Sequence, residues 1–248
     1  MNTVRTVSDT KRAFYTSHTR PVASVYRRVV EELMVEMHLL KVNVDFRYDP
    51  IFALGVVSTF DRFMDGYEPA QDKDSIFNAL CAAEEIDPAQ FRADAQQAKD
   101  ISQGRNLEEL VAWVTQSAEM GGPGLAGVFQ AIANNSKFKY SRLFAIGLYA
   151  ILEAMDASLV AEEAKLNDCI DKISAPLHLS SSKIQKDLEL YRSNLDKLQQ
   201  ARLAMAELIE GERRRQQQRA EELQKQSSAT EGTESAPSDA PTSSPEVS

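Results

Sequence analysis

The apolar positions of this chain fall into short helical stripes separated by polar breaks. After Ser8 a short helical pattern carries Phe14 and Tyr15 on its apolar side. From Pro21 onward, Val22, Val25, Val29, Leu33, Met37 and Leu40 recur every three or four positions and so share one helix face. Arg27, Arg28, Glu31 and Glu32 fall mostly off it, with Arg28 and Glu32 spaced to pair. Asp49-Pro50 then reads as a capping carboxylate followed by proline at the first helical position. The helix it opens runs over 51–64 and stops at Gly66. Its stretch 51–60 carries no charge, which predicts burial on most sides, and Gly55 would let a neighbouring helix come close. At half the roughly 20 apolar residues of a membrane span, this run is a core helix.

Further starts follow. Asp74-Ser75 precedes Ile76, Phe77, Leu80 and Cys81. Asp87-Pro88 repeats the cap-then-proline device, and that more polar helix ends near Gly104. Asn106 with Glu109 resembles a capping box ahead of Leu107, Leu110, Val111 and Val114. Gly121-Gly122-Pro123-Gly124 is a break, and apolar helices follow at 125–132 and 143–155. One more helix is expected over 158–173, before Pro176. No strand-like alternation persists and no repeat is visible.

From Ser180 the pattern changes. No glycine occurs until Gly211 and no proline until Pro237. Ile184, Leu188, Tyr191, Leu195, Leu198, Met205 and Ile209 keep a 4-3 alternation in which Arg202 takes one place, the mark of a coiled-coil-like seam. The first half of that seam is expected to lie on the bundle, leaving a monomer; full exposure would favour a dimer. Beyond Gly211 the run ERRRQQQRAEELQKQ has only Leu223 as an apolar residue, so this part should project or await a partner. A helix over 182–224 would reach about 60 Å. The segment 227–248 has no large apolar residue except Val247 and is expected to be disordered. The prediction is an all-α chain: a helical bundle over 1–178, a long, partly protruding C-terminal helix over 179–226, and a disordered tail.

Composition agrees. Ten glycines and nine prolines are few for 248 residues. A net charge of −9 disfavours nucleic acid and anionic lipid as general partners. Cys81 and Cys169 stand among apolar or helix-forming neighbours and are expected as two reduced thiols. The opening residues MNTVRTVSDTKRAF show neither a secretory nor an organelle-targeting pattern.

Candidate chemistry is sparse. His18, His38 and His178 lack the glutamate three places earlier that a di-iron bundle uses, and no CxxC or HExxH occurs. His38 is expected on a helix surface. GGPGLAG at 121–127 lacks the Gly-Lys-Ser/Thr of a phosphate-binding loop and reads as a helix–helix turn. Ser8–Lys11 and Ser180–Lys183 match the spacing of a serine nucleophile and its lysine base, but the companion motifs are missing, so both serines read as helix caps. Asn134-Asn135-Ser136 matches a glycosylation acceptor, without a leader to bring it to the enzyme. Asp61, Asp65 and Glu68 are read as solvating a helix end. No catalytic, cofactor or metal residue is predicted, and no cofactor is expected. The one dense basic group, Arg213, Arg214, Arg215 and Arg219, is the candidate partner-binding site, diluted by Glu207, Glu210, Glu212, Glu221 and Glu222.

Several strings occur together: VSDTKRAFY, HTRPVASVYRRVVEELMVEMHLL, FRYDPIFALGVVSTFDRFMDGY, KYSRLFAIGLYAILE and KDLELYRSNLDKLQQA. From about Ser8 to about Arg219 they resemble the thylakoid formation protein family of cyanobacteria and chloroplasts, also described as a photosystem II biogenesis and repair factor. The resemblance implies an all-helical protein without enzymatic activity that associates with FtsH-type AAA proteases of the thylakoid membrane and helps them accumulate, touching photosystem II subunits only indirectly. Lacking the transit peptide of plant relatives, the chain is expected to be of the cyanobacterial type, peripheral on the cytoplasmic face of the thylakoid with a soluble pool. The alternative is a structural or lipid-associated protein that organises thylakoid membranes directly. The sequence gives that reading little, since the basic stretch has almost no apolar face and the sole tryptophan, Trp113, sits in a helix expected to be internal.

Overall fold

The computed structural model describes residues 5–115 and 124–231, with side chains to 222 in the last helix. The break at 121–123 and the tail beyond 231 lie outside the described residues. Among those described, the chain forms helices and no strand. They are α1 Val7–Ser17, α2 Ser24–Lys41, α3 Pro50–Phe63, α4 Asp72–Ala83, α5 Pro88–Ser102, α6 Leu107–Thr115, α7 Leu125–Ala133, α8 Arg142–Met155, α9 Ala157–Ala161, α10 Glu163–Ser174 and α11 Ser181–Glu231. The chain divides into two compact units, Met1–Asp196 and Lys197–Ser248.

Capping chemistry sets most starts. Asp49 accepts from the Phe52 N–H at 2.8 Å with Pro50 behind it, and Asp87 accepts from the Ala89 N–H at 2.9 Å with Pro88 behind it. Asn106 Oδ1 accepts from the Glu109 N–H at 2.8 Å, while the Glu109 carboxylate turns to the Asn106 side-chain amide at 3.1 Å. Three expected starts move and one expected helix divides. Thr6, not Ser8, caps α1, in a reciprocal box with Asp9. The helix expected from Pro21 begins at Ser24, Val22 being buried ahead of it. The helix expected from Asp74 begins at Asp72, whose buried carboxylate pairs with Arg20. The single helix expected over 158–173 is two, because Glu162 adopts extended backbone between α9 and α10 and pairs with Lys165 at 2.8 Å. The last helix also runs to Glu231, past the expected limit at 226; Gly232 is the first glycine after Gly211.

The centre of the first unit is α3, packed against α8 and α5. Its predicted burial holds: Ile51, Phe52, Ala53, Leu54, Val56 and Phe60 are all buried. Two glycines make the α3–α8 crossing possible. A Cβ on Gly55 would land on the carbonyl oxygen of Leu143, and one on Gly147 would land on the carbonyl oxygen of Ile51. Each glycine thus receives the backbone four residues before the other. Arg62 and Glu153 pair across the same crossing. Elsewhere α1 packs on α4 and α2, while α6 packs on α7 and α10. The first turns of α11 belong here too. Ile184, Leu188 and Tyr191 are buried, and the Tyr191 ring stands edge-on to Phe63 and Tyr149 at 5.8 and 5.9 Å. The first half of the seam therefore lies on the bundle, as expected.

The stripe of α2 is turned from its expected position. Tyr26, Val30, Leu33, Met34, Met37, His38 and Leu40 are buried, whereas Val25 and Val29 are half-buried. Both α1 and α3 press on this helix, so the buried arc is wider than one stripe. Tyr15, expected on the apolar side of α1, is exposed and donates to Glu31 at 3.1 Å.

Asp49 gives a pH-dependent prediction. Burial pushes its carboxyl up to about 6, against the pull of the Phe52 and Ile51 N–H groups. The folded carboxyl keeps its proton to about pH 6, while the unfolded chain releases it near 3.8. The native state therefore loses stability as pH rises between those values. Asparagine caps as well as aspartate and carries no charge to bury. Asp49→Asn is expected to leave Tm unchanged near pH 4 and to raise it at pH 8 by roughly 5 °C, for a gain on the order of 2 kcal/mol. Thermal melts of both proteins across that range check it; equal melting at pH 8 refutes the burial cost.

Candidate interaction surface

The titratable groups inside the bundle hold helices together. His38, expected on a helix surface, is buried at 3% exposure. It lies four residues after Met34 and eight after Val30, so it shares their face, and α1 closes over it. Its Nδ1 shares a 2.9 Å hydrogen bond with Thr10 Oγ1 and stands 3.6 Å from Glu84 Oε1. Burial holds the Glu84 carboxyl above its ordinary range, opposed by His38 and Lys41. Thr10 is wholly buried, so the Thr10–His38–Glu84 group has no route to a substrate and ties α1 to α2 and α4. His18, buried as well, shares a 2.9 Å hydrogen bond with Ser75 Oγ, joining α1 to α4 a second time.

Other sequence candidates have ordinary partners. Asp61 pairs with Arg92 at 3.4 Å, while Asp65 and Glu68 are exposed. Lys11 reaches Glu31 at 3.1 Å and Lys183 lies over the Tyr140 ring at 4.8 Å, so each leaves its serine. Cys81 and Cys169 are buried free thiols; burial pushes Cys81 up to about 12, far from thiolate reactivity. Trp113 is half-buried rather than internal, with the Arg105 guanidinium 5.7 Å from its ring centre. Among the described residues, no group of three or more His, Cys, Asp or Glu is placed to hold a metal ion.

In the second unit the polar sequence still forms helix, unbroken through Gly211. Leu203, Met205, Leu208 and Ile209 are 60, 47, 70 and 65% exposed. Large apolar residues this open to solvent make this stretch a candidate contact surface. Helical geometry sorts the charges around them. The 4-3 spacing of Leu198, Arg202, Met205 and Ile209 continues through Glu212, Gln216 and Arg219. Arg213 and Arg215 are the outer two of the three residues inside the four-residue step from Glu212 to Gln216 and so flank the seam. Arg214 lies on the far side, where it pairs with Glu210 at 2.5 Å. Glu207, Glu210 and Glu221 share that far side. The four arginines therefore do not share one face: Arg213, Arg215 and Arg219 lie on or beside the seam and Arg214 lies away from it. The sequence carried this signal in its 4-3 count, which looks lapsed after Ile209 only because the seam turns polar.

The fold and this surface define an all-α bundle protein whose second unit presents a partly apolar, arginine-bordered helix. The chain belongs to the thylakoid formation protein family, whose model matches residues 6–220 and so takes in all four arginines. It is 56% identical over 217 residues to protein Thf1 of Acaryochloris marina, covering 88% of each chain. It is equally identical, at 56% over 220 residues, to protein Thf1 of Nostoc punctiforme, covering 88% of this chain and 94% of that one. A solved structure of Psb29 at 1.55 Å has the same fold, with a TM-score of 0.75 and 50% identity, covering 86% of this chain and 98% of that one.

Proposed function

We propose that this protein is a non-catalytic accessory factor for photosystem II biogenesis and repair. It binds the FtsH-type protease complex of the thylakoid, supports its accumulation, and works peripherally on the cytoplasmic face of the membrane. The observation that carries the reading is the run of exposed apolar residues on α11, Leu203 to Ile209, in a chain of the thylakoid formation family. A surface of this kind serves contact with another macromolecule rather than turnover of a small substrate. Attachment through protein also fits the helices, since none among the described residues is long and apolar enough to cross a membrane.

The test is an affinity pull-down of the tagged protein from gently solubilised thylakoids, with mass spectrometry of what is retained. FtsH-type subunits at high, salt-sensitive yield support the reading. Photosystem subunits or lipid alone, without the protease, favour direct membrane organisation instead. Deleting residues 212–248 removes Arg213, Arg215 and Arg219 but leaves the first unit whole. The truncated protein is expected to keep its melting transition and to recover several-fold less protease. Undiminished recovery moves the contact away from this helix.

A further inference from the structure

We infer that the seam of α11 between Leu198 and Arg219 docks a helix of another protein that carries its own apolar 4-3 stripe with carboxylates opposite Arg202 and along the edges facing Arg213 and Arg215. The inference deepens the docking role just proposed for this helix and gives the partner's chemistry.

The first argument is geometry. Met205 and Ile209 are exposed along the seam and Leu208 borders them, a linear stripe, while Leu203 lies off it towards the far side. A stripe repeating every three and four residues fits the matching stripe of a second helix. A lipid surface asks for a broader face with Trp, Phe or Leu. No aromatic residue occurs between Tyr191 and the end of the chain.

The second argument is charge. Arginine holds the seam positions 202 and 219 and the flanking positions 213 and 215, while Glu207, Glu210 and Glu221 occupy the far side. A chain of net charge −9 thus offers a contact line that from Arg202 to Arg219 is cationic apart from Glu212, with Glu222 flanking the seam just beyond it. Flanking charges choose the partner in paired helices. A second copy is a poor choice: in parallel register it would set Arg202 against Arg202, Glu212 against Glu212 and Arg219 against Arg219.

The test uses full-length protein and two labelled helical peptides with the same leucine stripe. One carries glutamate opposite Arg202 and at its edges, the other lysine at those places. Fluorescence anisotropy is expected to show the glutamate peptide binding roughly tenfold tighter. Arg202→Glu combined with Arg213→Glu and Arg215→Glu is expected to invert that order. Arg214→Glu, on the far side, is expected to leave it unchanged, and Ile209→Asp to abolish binding of both peptides. Circular dichroism confirms that each variant keeps its helix, and Arg213→Glu with Arg215→Glu alone repeats the test if the triple variant does not. Equal binding of the two peptides, or of neither, overturns the inference. So does flotation with phosphatidylglycerol vesicles that Ile209→Asp abolishes while the peptides show no preference, and so does a seam occupied by a second copy in sedimentation. Protease absent from the pull-down with the peptide preference intact overturns the proposed partner and leaves the seam chemistry standing.

Discussion

Gly55→Ala is expected to lower the melting temperature by roughly 10 °C, although alanine is the better helix former. The added methyl group would meet the carbonyl oxygen of Leu143, which is backbone and cannot rotate away. Relief requires α3 and α8 to separate, and that loosens the packing of Ile51 and Leu143 at the crossing. Overpacking of this kind costs about 3 kcal/mol or more, against the roughly 1 kcal/mol that alanine returns in helix propensity. Gly147→Ala meets the Ile51 carbonyl in the same way and should cost as much. The double variant should show no cooperative melt, because both sides of one crossing are blocked. Gly211→Ala is the control. Nothing lies within 4 Å of its Cβ position, so only the propensity gain remains and helix content should hold or rise. Melting of the three single variants by circular dichroism decides the matter. A Gly55→Ala protein as stable as the parent would mean that the helices do not cross this closely.

Leu54→Asp is expected to unfold the first unit rather than leave a folded, inactive protein. Leu54 is 3% exposed in the helix that α5 and α8 enclose. Its loss removes about 2 kcal/mol of apolar burial. The larger cost is an aspartate carboxylate in an apolar site, worth several kcal/mol unless it is protonated or paired. Together these approach the 5–15 kcal/mol by which a domain is stable at all. Far-ultraviolet circular dichroism should lose its melting transition at neutral pH. Leu54→Met keeps volume and polarity and should melt within a few degrees of the parent. An unchanged melting temperature for Leu54→Asp would remove α3 from the centre of the core.

How the fold could be read from sequence depends on the range of the force concerned. The starts at Asp49-Pro50 and Asp87-Pro88 were legible because a capping carboxylate and the proline behind it act within one turn. The burial of α3 was legible because a charge-free run leaves no face for water. His38 was not legible. It stands between buried Met37 and exposed Leu39, so its own neighbours point both ways, and only the approach of α1 from outside made its face a buried one. The wider buried arc of α2 has the same origin. For the interaction surface, the residues Arg213, Arg214, Arg215 and Arg219 were visible as a group, but their division was not, since it needs an unbroken helix through Gly211.

The sequence alone determined that the chain is helical, where most of its helices begin, that α3 is buried, and that a 4-3 stripe runs along α11. These follow from backbone hydrogen bonding, capping and periodicity, all settled within a few residues of chain. Only the tertiary structure decided that Gly55 and Gly147 answer each other across one crossing, that His38 lies buried under α1, and that the stripe is covered at Ile184, Leu188 and Tyr191 but open at Met205 and Ile209. Periodicity fixes the direction in which a side chain leaves its helix. What it meets there is set by elements far away in the chain, whose packing no local pattern records.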